Sequence, residues 1–213
     1  MRPRYIALAA GLLIATPIVA QQAMQVPGAK DAARVTAGTY TVDPGHTLVS
    51  WEVDHFGFTP YIGLFGDSTG TLTIDPKNPN ASKVDITIPV SKVTTASAGL
   101  TAHLLKPAKD AASKPDFFGA APADARFVST SVVASGNTAK VTGDLTLNGV
   151  KKPVTLDVEF YGAGKMPEQM GGKEGLGFTA KGTIKRSDFG VNMAIPMVSD
   201  EVKLKIAVGF FKN

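Results

Sequence analysis

From Thr39 onward, apolar residues alternate with polar or small ones, a period typical of β-strands that bury one face. The clearest run closes the chain, where five large apolar residues alternate with lysine, alanine and glycine over 202–210. The same period predicts nine segments, at about 39–43, 49–55, 65–75, 84–90, 125–134, 138–148, 154–160, 176–186 and 202–210. The first two could form one strand with a bend at residues 43–45.

Turn signals separate these segments. Asn148-Gly149, flanked by alternating apolar residues, is a strong hairpin signal, and Asp75–Pro79 and Ser135–Asn137 are further turn sequences. About eight antiparallel strands joined by short turns predict a closed barrel or a sandwich. Closure would also leave no exposed sheet edge, which a long β protein must avoid. We therefore expect an all-β protein.

One segment departs from the alternation. Ser97–Ala112 is rich in alanine, leucine and lysine, and it predicts a short helix that reaches Lys106 at most, because Pro107 cannot continue it. It lies inside a crossing of roughly 35 residues between Val90 and Arg126. Crossings of that length are commonly functional, so a lid over a barrel mouth is the expected role.

The first twenty residues are predicted to be a signal peptide. Arg2 and Arg4 precede the apolar run Tyr5–Ile14, which is too short to span a bilayer comfortably, and cleavage is expected after Ala20. An uncleaved membrane anchor is the alternative. Residues 21–38 show no period and are predicted to be a flexible segment, so residues 39–213 form the single expected domain. The mature protein is then periplasmic or secreted.

Composition narrows the chemistry. The chain contains no cysteine, which excludes disulfides, thiolate metal sites and thiol nucleophiles. Without Arg2 and Arg4 the remaining chain has 20 basic and 18 acidic side chains, a balance that does not favour nucleic-acid binding. Neither a nucleophile elbow nor a phosphate loop is present, so we expect no enzyme. Three histidines without ligand spacing favour no metal site, although His46 and His55 with a nearby aspartate leave one open.

Small residues occupy several positions that alternation places on the inward face. Gly66, Ser68, Gly70, Gly143 and Gly182 are examples. A barrel of eight strands is just wide enough to be filled by side chains or to hold one small ligand. These glycines could leave room for an apolar ligand, or they could relieve crowding and allow the strands to bend. Both interpretations stay open from the sequence.

Seven short motifs resemble, in order, those of the YceI-like family. The most specific is Gly143–Leu156, GDLTLNGVKKPVTL. The others are YTVDPGH at 40–46, VDHFG at 53–57, GLFG at 63–66, HL at 103–104, PDFF at 115–118 and RSDFG at 186–190 with Val202 after it. Each motif is weak alone, but the ordered set covers about residues 39–211.

The resemblance implies a lipocalin-like, extended antiparallel barrel. With the strand count and the helical segment above, we expect eight strands and a short helical crossover near residues 97–113. The resemblance also implies export to the periplasm and binding of a polyisoprenoid, quinone or other long-chain lipid, with no other cofactor and no established catalytic residues. Two departures from the family pattern concern the entrance. Leu105–Ser113 lengthens the crossing, and Ala121 stands before Pro122 where the family tends to have an aromatic residue.

The candidate ligand-binding residues are mainly large apolar residues on the expected inward face, with two polar residues for a head group. Trp51 could stack along a lipid chain or belong to the core, and His55 could bind a head group or the backbone. Arg186 could pair with Asp188 or contact a head group. The full set is Trp51, Val53, His55, Phe65, Phe118, Phe127, Leu145, Phe160, Phe178, Arg186 and Phe189. Phe118 and Phe189 lie in loops, where they could plug a barrel end or line the entrance.

Two functional hypotheses follow. In the first, the barrel holds one long apolar molecule for carriage, storage or stress protection. In the second, the protein is an accessory module that docks on a membrane or membrane redox protein through its surface, which predicts a contiguous exposed apolar patch. The sequence also leaves open whether two copies pair as a homodimer.

Overall fold

The structure is a computed structural model that describes residues 25–213. The predicted signal peptide, residues 1–20, lies outside the described residues, as do residues 21–24 of the predicted flexible segment. In the described part of the chain, no helix has the length and apolar character needed to cross a membrane.

Strands account for most of the described chain, with one short α-helix, α1 (Ala98–Leu104), and five 3-10 turns. The strands are β1 (Gly28–Ala29), β2 (Gly38–Val42), β3 (Leu48–His55), β4 (Thr59–Phe65), β5 (Thr69–Ile74), β6 (Lys83–Ile88), β7 (Thr94–Thr95), β8 (Ala125–Ser135), β9 (Thr138–Leu147), β10 (Val150–Lys165), β11 (Glu174–Lys185) and β12 (Glu201–Lys212).

Eight strands close into a ring in the order β2, β5, β6, β8, β9, β10, β11 and β12, with β12 returning to β2. Every pair in the ring is antiparallel. β12 closes the ring because it pairs with both β11 and β2: Val208 lies opposite Phe178 of β11, and Phe210 lies opposite Val42 of β2. The predicted closed eight-stranded barrel is confirmed.

A hairpin that the alternation did not predict extends the barrel. Residues 65–75 were expected to form one strand, but β4 ends at Phe65 and β5 begins at Thr69. β4 folds back on β3 through a tight turn in which Phe56 and Gly57 both have positive φ. β3 also pairs with β12, opposite residues 203–207 of β12. Since β2 pairs with residues 210–212 of the same strand, β2 and β3 pair with successive parts of β12.

The long crossing contains α1 and the short strand β7, which pairs with β4. The side chain of Ser97 accepts a hydrogen bond from the Leu100 N–H at 3.2 Å and caps the helix. The helix ends at Leu104, before Pro107, so the helical crossover predicted near residues 97–113 is helical only over its first part. This crossing therefore lies against the β3–β4 hairpin.

The segment before the barrel packs against it over residues 28–35. β1 pairs with β10, where Gly28 and Ala29 lie opposite Gly164 and Ala163. A 3-10 turn over 32–34 then places Val35 in the apolar core beside Phe160. The prediction of a flexible segment over 21–38 is wrong for residues 28–35, because aperiodic sequence can still bury one apolar side chain.

Candidate functional site

An elongated cavity of about 350 Å³ runs inside the barrel. Its volume falls in the range of roughly 300–1,000 Å³ that is typical of small-molecule sites. Among the described residues, none that lines it is charged, and the polar ones are Thr47, Ser68, Ser82, Asn137 and Thr138. A lumen with this lining favours hydrocarbon over any ionised group.

The alternation seen in the sequence explains the lining. Inward residues of the ring strands form the wall, among them Val84, Ile86, Leu156, Ile206 and Val208. Several of these, such as Val84 and Ile206, are only half-buried although they point inward. They are accessible because they border the lumen itself. Their outward neighbours, such as Lys203 and Lys205, are exposed to solvent.

The inward glycines do not create this space. A Cβ at Gly143 would lie 2.5 Å from Cζ of Phe127 and 2.6 Å from the carbonyl oxygen of Val128. A Cβ at Gly182 would lie 2.7 Å from Cδ2 of Leu156. The space beside each of these two glycines is therefore already occupied by a neighbouring residue.

Gly70, with a φ of +136°, is similarly required because the backbone of β6 passes too close for any side chain. Gly66 has no atom near its Cβ position, but it does not line the cavity. The hypothesis that glycines hollow the barrel is wrong, and the alternative of crowding relief and strand bending describes Gly70, Gly143 and Gly182. Small non-glycine residues line the lumen instead, including Ala125, Ala134, Ala139 and Ala180.

One end of the cavity, here called the open end, reaches solvent-exposed loops. Pro76 and Pro79 of the β5–β6 loop and Gly136 and Asn137 of the β8–β9 turn belong to its lining, and all four are exposed. The side chain of Asn80 accepts a hydrogen bond from the Ala134 N–H at 2.8 Å and joins the two loops. The open end is thus an opening bordered by these two loops.

The opposite end, here called the closed end, is built from residues that are almost fully buried. Val90 is 1% exposed, Ala125 5% and Ser68 0%, and all three line the cavity. Val90 and Ala125 flank the long crossing, whose residues between them do not line the cavity. The expected lid over the mouth is therefore wrong, because the crossing lies at the end away from the exposed loops.

The structure brings five of the sequence-predicted site residues together on the lumen wall. Phe160 and Phe178 lie toward the open end, with ring centroids 5.8 Å apart in an edge-to-face arrangement. Phe65, Phe127 and Leu145 line the lumen toward the closed end. Whether any of the five contacts a ligand stays a prediction.

Three predicted residues of β3 do not line the cavity, since they belong to the part of the strand that forms a hairpin with β4. The Trp51 indole occupies the place where a side chain on Gly63 of β4 would stand. Val53 is buried within the hairpin, and His55 is exposed beside the hairpin turn. Alternation assigned them the inward face, but the strand continues beyond the lumen.

The two loop phenylalanines support the wall from outside the lumen. Phe118 packs edge-to-face on Phe65 with centroids 6.0 Å apart, and neither its ring nor that of Phe189 lines the cavity. Phe189 is 1% exposed and belongs to the core cluster with Phe127 and Leu145. It therefore belongs to the core and does not line an entrance, and whether it plugs a barrel end stays a prediction.

Arg186 holds the β11–β12 connection together instead of reaching a head group. Its guanidinium donates to four backbone carbonyl oxygens at 2.8–2.9 Å, those of Val191, Met193, Val198 and Ser199. Burial lowers the pKa of the Arg186 guanidinium, and the carboxylate of Asp200 acts in the opposite sense. The predicted pair with Asp188 is wrong, because Asp188 is not a partner of this guanidinium in the structure.

Asp200, which the sequence analysis did not select, fixes the same connection. Its carboxylate accepts hydrogen bonds from the backbone N–H of Ser187 at 2.8 Å and from the Ser187 hydroxyl at 2.7 Å. These bonds hold the pKa of Asp200 below its ordinary value. The alternation placed Ser68, the fully buried hydroxyl at the closed end, on the inward face, but it was not selected as a site residue.

The histidines do not gather into a metal centre. His46 lies 2.7 Å from the Asp43 carboxylate on the exposed turn before β3, and His103 pairs with Asp116 at the same distance. Within residues 25–213, no group of three or more histidine, aspartate or glutamate side chains is placed to hold a metal ion.

Comparisons with known proteins agree with this architecture. The YceI-like domain family matches residues 40–210. Protein YceI of Escherichia coli O157:H7 is 40% identical over 180 residues, which covers 83% of this chain and 88% of that protein. A crystal structure of Campylobacter jejuni YCEI protein is 30% identical, with a TM-score of 0.62 over 75% of this chain and 90% of the other.

A more distant structure shares the fold alone. It is a polyisoprenoid binding domain from Saccharophagus degradans, 11% identical, with a TM-score of 0.54 over 82% of this chain and 98% of that domain. The family match extends over most of the described barrel, and the sequence identity to the YceI proteins is well above that of this fold-level neighbour. The chain therefore belongs to the YceI-like domain family.

Proposed function

We propose that this protein is a periplasmic binding protein that holds one long-chain apolar molecule, such as a polyisoprenoid, in its barrel for carriage, storage or protection. The single observation that carries the proposal is the uncharged lumen, closed at one end and framed by exposed loops at the other. An elongated apolar cavity fits a chain-like hydrocarbon.

Burial of hydrocarbon supplies the affinity. Each methylene group removed from water contributes about 0.8 kcal/mol. About ten methylene groups would thus contribute about 8 kcal/mol, which exceeds the several kcal/mol that ordering a flexible chain costs. The neighbour described as a polyisoprenoid binding domain has the same fold, which supports a prenyl chain as the ligand.

Filling the lumen tests the proposal. Ala139 lines the cavity, whereas Ala207 is exposed on the outer face of β12, so the matched variants are Ala139→Phe and Ala207→Phe. We expect wild type and Ala207→Phe, purified from the periplasm, to retain lipid in native mass spectra, and Ala139→Phe to retain much less. Repeated failure to detect lipid in the wild type, together with no binding of apolar probes, would overturn the proposal.

An exposed apolar patch favours the second candidate function, an accessory module that docks on a membrane redox protein. The β3–β4 turn contributes Phe56 and Phe58, the latter 90% exposed, and the neighbouring loop contributes Met193 and Met197. The N–H of Phe56 donates to the Met197 carbonyl at 2.7 Å, so the two segments form one surface. Exposed apolar groups of this kind mark interaction sites when they are contiguous.

Co-sedimentation with inner-membrane vesicles tests the docking function. We expect Phe58→Ser to weaken association while Tyr161→Ser, which removes another exposed aromatic side chain from the barrel wall, does not. Docking on a protein further predicts that proteolysis of the vesicles abolishes association. Equal sedimentation of both variants and wild type would refute this function.

A further inference from the structure

We propose that the ligand enters with an uncharged oxygen-bearing end group first, an alcohol or a carbonyl, and that this group hydrogen-bonds to the Ser68 hydroxyl at the closed end. The inference rests on the proposed function and specifies the ligand's chemistry and direction. It places the hydrocarbon tail toward the open end, beside Phe160 and Phe178.

The local backbone places Ser68 in the lumen wall at the closed end. The residue follows Asp67, whose φ of 54° lies in the left-handed region that aspartate tolerates better than most residues. The Asp67 carboxylate pairs with Lys92 at 3.3 Å, and both side chains are more than half exposed. Ser68 is 0% exposed and lines the cavity, so the turn directs the two side chains to opposite sides.

The Ser68 hydroxyl is buried without a hydrogen-bond partner. Within the described residues only two buried side-chain polar atoms have this property, Oγ of Ser68 and Nε1 of Trp51, and only Ser68 lines the cavity. Buried polar atoms are paired in the great majority of cases, because an unpaired one costs free energy. A hydroxyl in this state at the end of a ligand-sized cavity indicates a ligand partner.

Thr47 adds a second hydroxyl to the lining. It is 2% exposed, and its Oγ1 accepts a hydrogen bond from the Gly209 N–H at 3.3 Å. Its own hydroxyl hydrogen is not used in that bond, so it is able to donate. The absence of charged residues in the described lining disfavours an ionised head group, since it would lose its hydration without a compensating charge.

Paired ligands and a matched protein variant isolate the proposed bond. Dodecane, 1-dodecanol and dodecanoate compete with the uncharged fluorescent probe N-phenyl-1-naphthylamine for delipidated protein. The change is Ser68→Ala, and the control is Ser82→Ala, which also lines the cavity but lies half-buried at the open end. Differences in the ligands' own hydration cancel when the ratio of two affinities is compared between proteins.

We expect Ser68→Ala to lower the affinity for dodecanol relative to dodecane by about three- to tenfold, the range of one net hydrogen bond. Ser82→Ala should leave that ratio unchanged, and ionised dodecanoate should bind more weakly than dodecanol. An unchanged ratio in Ser68→Ala would overturn the inference but leave the proposed function intact. Failure of wild type to bind the probe and all three ligands would instead overturn both.

A spectroscopic measurement on the wild type does not depend on the variant's folding. The infrared carbonyl band of bound 2-dodecanone should lie below its frequency in hexane, because a hydroxyl donor lowers that frequency. A band at the hexane frequency would show that the carbonyl lies in a purely apolar environment, which contradicts the inference.

Discussion

Replacing Gly143 by alanine tests the finding that the inward glycines serve packing and not lumen volume. The added Cβ would stand 2.5 Å from Cζ of Phe127 and 2.6 Å from the carbonyl oxygen of Val128. The ring could move, but the carbonyl belongs to the ladder between β8 and β9, in which Val128 lies opposite Asp144. Relief therefore requires a backbone shift.

Overpacking of this kind costs about 1–3 kcal/mol of the free energy of unfolding. For a protein of this size, each kcal/mol corresponds to a shift of about 2–4 °C in Tm. We expect Gly143→Ala to lower Tm by about 2–12 °C and to lower the denaturant midpoint without changing the slope of the transition.

Gly66→Ala is the matched control, because no atom lies within 4 Å of its Cβ position and its φ is not positive. That change should leave stability unchanged or raise it by up to about 1 kcal/mol, since alanine restricts the unfolded chain. Equal stability of the two variants would refute the packing argument. A loss of lumen-bound lipid in Gly143→Ala at unchanged stability would refute it as well.

Three further predictions concern the regions around the barrel. Arg186→Met should lower the free energy of unfolding by more than about 3 kcal/mol in denaturant titrations, because one buried and three part-buried carbonyl oxygens lose their donor. A loss below about 1 kcal/mol would contradict this role. Asp200→Asn should be less stable than wild type at pH 7. The difference in stability should shrink as pH falls below about 4, because the wild-type carboxylate, whose pKa is lowered in the native state, then becomes protonated. A stability difference that does not change between pH 7 and pH 2 would contradict this prediction. Val35→Asp should accelerate tryptic cleavage after Arg34 while the barrel stays resistant, because Val35 anchors the segment in the core; unchanged cleavage would contradict the anchoring.

Much of the barrel wall could be predicted from local sequence. Phe127, Leu145, Phe160 and Phe178 line the lumen as alternation indicated, since a strand directs successive side chains to opposite faces wherever it lies. The number of strands also followed, but strand number and short turns left both a barrel and a sandwich open, and the resemblance to the family favoured the barrel.

The hairpin formed by β3 and β4 was harder to predict. Thr59–Phe65 contains proline and glycine and does not alternate cleanly, yet it pairs with β3 throughout its length. The positive φ values of Phe56 and Gly57 complete the turn, and phenylalanine gives little sequence signal for that conformation. The missed strand in turn misplaced Trp51 and His55, since the length of β3 beyond the lumen depends on its partner.

The sequence by itself determined which residues of the eight ring strands face inward, the uncharged character of that face and the membership of the YceI-like family. These properties are local or compositional, so they are present in the chain before it folds. Only the tertiary structure decided which inward positions border empty space, because the volume beside Gly143 belongs to Phe127 on the neighbouring strand. It also decided that Ser68 meets the lumen at the closed end and that Arg186 meets four carbonyls, since strand register and loop packing set both positions.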